Sequence, residues 1–172
     1  MTARSHWLLL PSLMVLLLVL LVAPMRGVAA ETYNDAAALK GLSSVKSVFL
    51  IDFKTAKTTA FYLDLIVGTY DGLVRQGVKP EMVVVVIGPT VRFLSKTADP
   101  ELTFEYEAEF DAIEKSLQAL SERGVRIEVC AIATRVFNVD NSQLPAMLDV
   151  VADGFISVIG WQAQGYHLVP VF

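Results

Sequence analysis

The chain holds one cysteine, Cys130, at the end of the apolar run Val125-Arg-Ile-Glu-Val-Cys130. A lone cysteine closes no internal disulfide. Its thiol is either an inert core group, since free cysteine is among the most buried residue types, or a nucleophile. The nucleophilic form is the thiolate, which nearby cations and a helix start favour. Such a thiolate suits accepting and passing on a sulfur atom as a persulfide, or forming a mixed disulfide with a partner. Thr134 and Arg135 follow the cysteine closely, and Gly88, Pro89 and Arg92 follow a second apolar run, Met82 to Ile87. Arg92 and Arg135 are candidates to hold an anionic sulfur species by charge-assisted hydrogen bonds; ordinary surface arginine is the alternative.

Other chemistry finds less support. His167 is the one histidine after residue 30, and a Cys/His pair can activate a thiol. It begins the last predicted strand, however, which argues against pairing. One cysteine and one histidine make no zinc-site spacing, so no metal site is expected. Nucleophile-elbow, phosphate-loop and dinucleotide fingerprints are missing, so no cofactor is expected. Glu101, Glu105, Glu107, Glu109, Asp111 and Glu114 form an acidic run that could hold a hard cation. A solvated helix face explains it more simply, with acids near a helix start complementing the dipole. Trp161 reads as core or interface packing, or as a pocket wall.

These residues need elements to position them. Ser47 to Asp52 and Met82 to Ile87 are nearly continuous apolar runs, the mark of strands buried on both faces. Between them Leu63, Ile66, Val67, Tyr70 and Val74 recur at helical spacing, capped by Thr58 or Thr59 and stopped by Gly77. A short helix over Val91 to Lys96 is predicted next, then a long one from Pro100 to Arg123. A third strand runs from Val125 to Cys130, and a short helical turn follows through Val136. Pro145 to Val151 reads as loop and short strand, Phe155 to Gln164 as helix, and His167 to Phe172 as the last strand. Alternating strands and helices imply parallel βαβ units in a single-domain, three-layer α/β/α sandwich. Ligands in such sheets bind outside the carboxyl ends of the strands. That rule brings together Asp52, Phe53, Lys54 and Lys57 after the first strand, Gly88, Pro89, Thr90 and Arg92 after the second, and Cys130, Ala131, Thr134 and Arg135 after the third.

Residues 1–30 read as an export signal: Arg4 and His6, an apolar stretch from Trp7 to Val22, and small residues Val28-Ala29-Ala30 before Glu31. The protein is therefore expected in the periplasm, or held at the membrane if the segment is retained as an anchor. Residues 31–45 form a linker and 46–172 the α/β domain. Losing Arg4 and Arg26 reduces Lys and Arg from 14 to 12 against 18 acids, a formal charge of −6. That acidity argues against nucleic acid as a partner.

Gly124-Val-Arg-Ile-Glu-Val-Cys130, then Leu144-Pro145, Gly154-Phe-Ile-Ser-Val-Ile159 and Gln162-Ala-Gln-Gly165-Tyr166 follow in order. Together with Val86-Ile87-Gly88-Pro89, this pattern resembles the DsrE/DsrF-like family of sulfur-relay proteins across roughly residues 45–172. The resemblance implies a mostly parallel five-stranded sheet and homo-oligomers, trimers or hexamers. It also implies a persulfide carried on a cysteine after a central strand, here Cys130, exchanged with a donor or acceptor protein. The polar segment that follows the cysteine in many relatives is Ala131-Ile-Ala-Thr134-Arg135 here, and Ile87 stands where a histidine commonly precedes Gly-Pro. The chain thus keeps the thiol and lacks polar neighbours. The expected function is a sulfur relay on Cys130; the alternative is a non-catalytic oligomeric binding module in which Cys130 is structural.

Overall fold

Five parallel strands form one sheet in the order β4-β3-β2-β1-β5. They are β1 Ser44–Ile51, β2 Lys79–Val86, β3 Arg126–Cys130, β4 Leu148–Val151 and β5 His167–Pro170. The computed structural model describes residues 33–97 and 99–171. The predicted export signal lies outside the described residues, as do the first two residues of the predicted linker and Phe172 of the last predicted strand. The chain divides into units Met1–Asn34 and Asp35–Phe172, and all five strands belong to the second.

The strand order follows from the run of the chain. It steps from β1 through β4 in one direction across the sheet, then returns past β1 to add β5. Right-handed crossovers that run in opposite directions put their helices on opposite faces. Accordingly α1 (Ala56–Arg75) packs against α3 (Glu107–Glu122) on one side. The helix of the return crossover, α5 (Gly154–Ala163), lies on the other side, where Gly154 meets Val85, Ile87 and Cys130.

Each helix buries a stripe set by its sequence. Ala56, Thr59, Ala60, Leu63 and Ile66 of α1 recur three or four apart and are buried. In α3 the stripe is Phe110, Ile113, Ser116, Leu117 and Leu120. With α5 on the opposite face, α1 and α3 enclose a core centred on Val48, Phe49 and Val83 to Val86, whose side chains alternate between the two faces. Burying one such aliphatic side chain contributes about 1.5–3 kcal/mol.

Three local features differ from the sequence reading. The helix predicted from Pro100 to Arg123 is two helices, α2 (Pro100–Glu105) and α3, separated at Tyr106, whose φ of −123° and ψ of 40° are non-helical. The helix predicted over Val91 to Lys96 is instead a 3-10 turn over Gly88–Phe93, opened by Pro89. Pro89 has no N–H to offer and suits the first turn. The cap of α1 is Thr55, whose Oγ1 accepts from the Thr58 N–H at 3.1 Å.

Candidate functional site: a thiol cavity at the sheet's carboxyl edge

Loops from β1, β2 and β3 leave toward one face and the loop from β4 leaves toward the other. The exits of β1, β2 and β3 and the loop after β4 meet at the carboxyl edge of the sheet, where ligands bind in open parallel sheets. Cys130 stands there as the last residue of β3 and also the N-cap of α4 (Ala131–Val136). Its side chain makes no capping hydrogen bond. The residue is 5% exposed and its thiol is free.

The thiol borders a cavity of about 250 Å³. Ile87, Ile132, Ala133, Val136, Phe137 and Phe155 supply its apolar wall, Gly88 supplies backbone, and Asp52 and Asp153 supply carboxylates. The sequence explains how each arrives. Asp52 follows directly on β1. Gly88 adopts φ +58°, the left-handed region open to glycine, and a Cβ there would stand 2.0 Å from Asp52 Oδ1. Asp153 is the N-cap of α5, its carboxylate accepting from the Phe155 N–H at 2.8 Å. Gly154 begins that helix, and a Cβ there would lie 2.5 Å from Ile87 Cγ2 and 3.1 Å from Cys130 Cβ. Its missing side chain lets α5 seat beside the thiol.

The strand exits are tied together. The Phe53 N–H donates to Thr90 Oγ1, whose hydroxyl donates to Phe53 O at 3.1 Å, and Thr90 is fully buried. The Ile87 N–H donates to Ile51 O at 3.0 Å. These bonds hold the 3-10 turn against the end of β1 and fix Gly88 in the cavity wall. At the far end of α4, Asn138 takes φ 54°, a left-handed position that asparagine tolerates, and returns the chain to the surface.

Of the residues singled out from the sequence, Cys130, Gly88 and, from the exit of β1, Asp52 line this cavity. Pro89 opens the 3-10 turn outside its lining. Thr134 is buried and donates to Ala131 O at 3.2 Å, serving α4 itself. Arg92 is bound to Asp99 at 3.0 Å and lines a separate cavity with Asn138 and Val139. Arg135 is exposed on the last turn of α4. No lysine or arginine lines the thiol cavity among the described residues. Of the two carboxylates that line it, Asp52 stands among the strand-exit residues picked out from the sequence and Asp153 does not. The pair Asp153-Gly154 ahead of an apolar helix is an N-cap signature that could have found it.

The remaining candidates sit elsewhere. His167 starts β5 at the amino end of the sheet, pairing with Ser47, while Cys130 lies at the carboxyl end. In the acidic run, Asp111 and Glu114 both grip Lys96 at 2.6 Å. Those carboxylates hold the Lys96 ammonium well above the usual lysine range. Trp161 donates through Nε1 to Glu128 Oε2 at 3.1 Å and meets Tyr166 edge-on. Glu128, buried on β3 beside α5, also accepts from Arg126 Nε at 2.7 Å and from the Ser157 hydroxyl. That buried carboxylate seats α5 one strand repeat before Cys130.

A model of the DsrE/DsrF-like family matches residues 46–171. Among solved structures, a protein of unknown function from Methanobacterium thermoautotrophicum, MTH1491, aligns with TM-score 0.55 at 20% identity, covering 74% of this chain and 99% of its own. The ychN protein of E. coli aligns with TM-score 0.55 at 12% identity, covering 74% and 99%. A conserved protein of unknown function from Bacteroides thetaiotaomicron, BT1422, aligns with TM-score 0.50 at 14% identity, covering 81% and 100%. These likenesses are likenesses of fold. No curated protein matches the chain at a significant level.

Proposed function

The chain belongs to the DsrE/DsrF-like family, and from that premise we propose that it is a sulfur-relay protein that carries sulfane sulfur on Cys130. The observation that carries the reading is the free thiol at the carboxyl end of β3, on the wall of a cavity where the strand exits meet. The reaction is a displacement. The Cys130 thiolate attacks the outer sulfur of a donor persulfide, a new S–S bond forms, and the donor's inner S–S bond breaks. The departing thiolate keeps the electron pair and takes up the proton that Cys130 released, so no outside oxidant or reductant is needed. Handing the sulfur to an acceptor thiol repeats the step in reverse. Incubation with a persulfide donor, followed by intact-protein and peptide mass spectrometry, tests this. A gain of one sulfur atom on Cys130 is expected, reversed by a reductant and missing in Cys130→Ser. No gain under conditions that load a known carrier would falsify the reading.

One observation favours a second reading, a non-catalytic binding module with a structural cysteine: the residue is 95% buried among apolar side chains. Native-state thiol labelling separates the two. Labelling no faster than global unfolding supports the structural role; faster labelling supports the relay.

Two further proposals concern setting. Self-association into a trimer or hexamer is supported by Phe155, Ile156 and Ile159, which are 61%, 67% and 65% exposed on α5. Contiguous apolar surface of this kind marks interaction sites. Export to the periplasm, with removal of residues 1–30, is supported by the leader pattern ending at Ala30. Sequencing the amino terminus of the protein from fractionated cells checks it, and a retained leader in the membrane fraction means an anchor instead.

A further inference from the structure

The wall chemistry of the thiol cavity bears on what can deliver sulfur to it. Asp52 and Asp153 face the cavity from different elements, and the rest of the wall is apolar or backbone. The Asp52 carboxylate is exposed and lies over Gly88, and the Asp153 carboxylate is fixed by its hydrogen bond to the Phe155 N–H. The two arginines nearest in sequence to the strand exits do not offset them, since Arg92 is spent on Asp99 outside this cavity and Arg135 faces solvent. A cleft lined by one sign of charge with low-dielectric walls enriches the opposite sign and repels its own.

We propose that this site exchanges sulfur with neutral or cationic carriers and discriminates against anionic ones such as thiosulfate or carboxylate-bearing thiols. The group next to the donor sulfur then carries an ammonium or no charge, with an apolar body against Ile132, Val136 and Phe155. The inference rests on the reading of Cys130 as the sulfur-bearing group, and it reverses the expectation that arginines hold an anion there.

Three symmetric disulfides serve as probes: cystamine (cationic), 2-hydroxyethyl disulfide (neutral) and 3,3′-dithiodipropionate (anionic). In each, the Cys130 thiolate attacks one sulfur, the mixed disulfide forms, and the other half leaves as thiolate, which takes a proton from water. Second-order rates are measured on the purified protein by mass spectrometry and divided by the rate of the same disulfide with an unstructured cysteine peptide. That ratio removes intrinsic reactivity. The expected order is cationic, neutral, anionic, with about tenfold or more between the extremes at low salt. The spread narrows with added salt. It also narrows in D52N and D153N, where asparagine at 153 still caps α5. Equal normalised rates, a faster anion, or a spread unchanged in both variants overturns the proposal. Charge selection without sulfur loading from any persulfide donor sinks the relay reading and with it sulfur exchange at this site, whereas sulfur loading without charge selection keeps the relay and sinks this proposal alone. A thiol inert to all three probes sinks both.

Discussion

Gly154 decides how closely α5 approaches the thiol. A methyl group there would enter Ile87 at 2.5 Å and press on Cys130 Cβ at 3.1 Å, and Ile87 and Cys130 end neighbouring strands that cannot easily retreat. Overpacking of this kind costs about 1–3 kcal/mol. Gly154→Ala is therefore expected to lower the unfolding free energy from urea titration by that amount, and an unchanged value would show α5 free to lift. At this scale the sequence was partly legible. Cys130 and Gly88 were visible as strand-end residues because apolar runs mark strand ends sharply. Arg92 and Arg135 were visible as charges only. Their partners and directions depend on Asp99 and on the last turn of α4, contacts that no local spacing encodes.

Among the elements, the short α2 is held by its cap residue, Asp99. The Asp99 carboxylate accepts from the Leu102 N–H at 3.0 Å and from Arg92 Nη2 at 3.0 Å. The backbone hydrogen bond first, then the guanidinium, hold its carboxyl below the ordinary 3.8. A depressed folded-state value stabilises the fold fully above the unfolded value and is lost as pH falls through the folded one. The difference in unfolding midpoint between wild type and Asp99→Asn should thus be constant near neutrality, shrink below pH 3.8, and vanish at lower pH. A difference that grows with acid would reverse the assignment. The cores of β1 and β2 were legible because residues buried on both faces read as unbroken apolar runs, whereas the more exposed edge strands β4 and β5 were read only loosely, with no sharp ends. The break at Tyr106 was not legible, because the apolar stripe of α3 continues its period backward through the break, and the interruption is one of backbone angle alone. The 3-10 turn was hidden for a similar reason: its anchor is the Thr90 bond to Phe53, a contact between distant segments.

For the whole molecule, the single return crossover has a cost. One helix, α5, covers a face of the sheet whose opposite side carries both α1 and α3. It leaves Arg126 and Asp149 to pair at 3.2 Å in partial exposure and Phe155, Ile156 and Ile159 turned outward. Self-association through α5 would cover that surface. On the proposal that the chain self-associates through α5, Ile156→Glu with Ile159→Glu should turn a larger species in sedimentation velocity into monomer while leaving the far-ultraviolet circular dichroism unchanged. An unaltered sedimentation coefficient would move the interface elsewhere. The fold class was readable at this scale from the alternation of strands and helices, whereas the uneven cover of the two faces emerges only once the strand order is known.

Cys130 belongs to a strand and a helix at once, with no loop residue between them. Its side chain stands on a stalk that cannot swing. A sulfur added to it extends the side chain by about 2 Å, the length of an S–S bond, from a residue that is itself only 5% exposed. On the relay reading, loading and unloading are then unequal tasks. The empty carrier demands a slender visitor that reaches down, and the filled one offers its cargo nearer the mouth, where a blunter recipient can collect it.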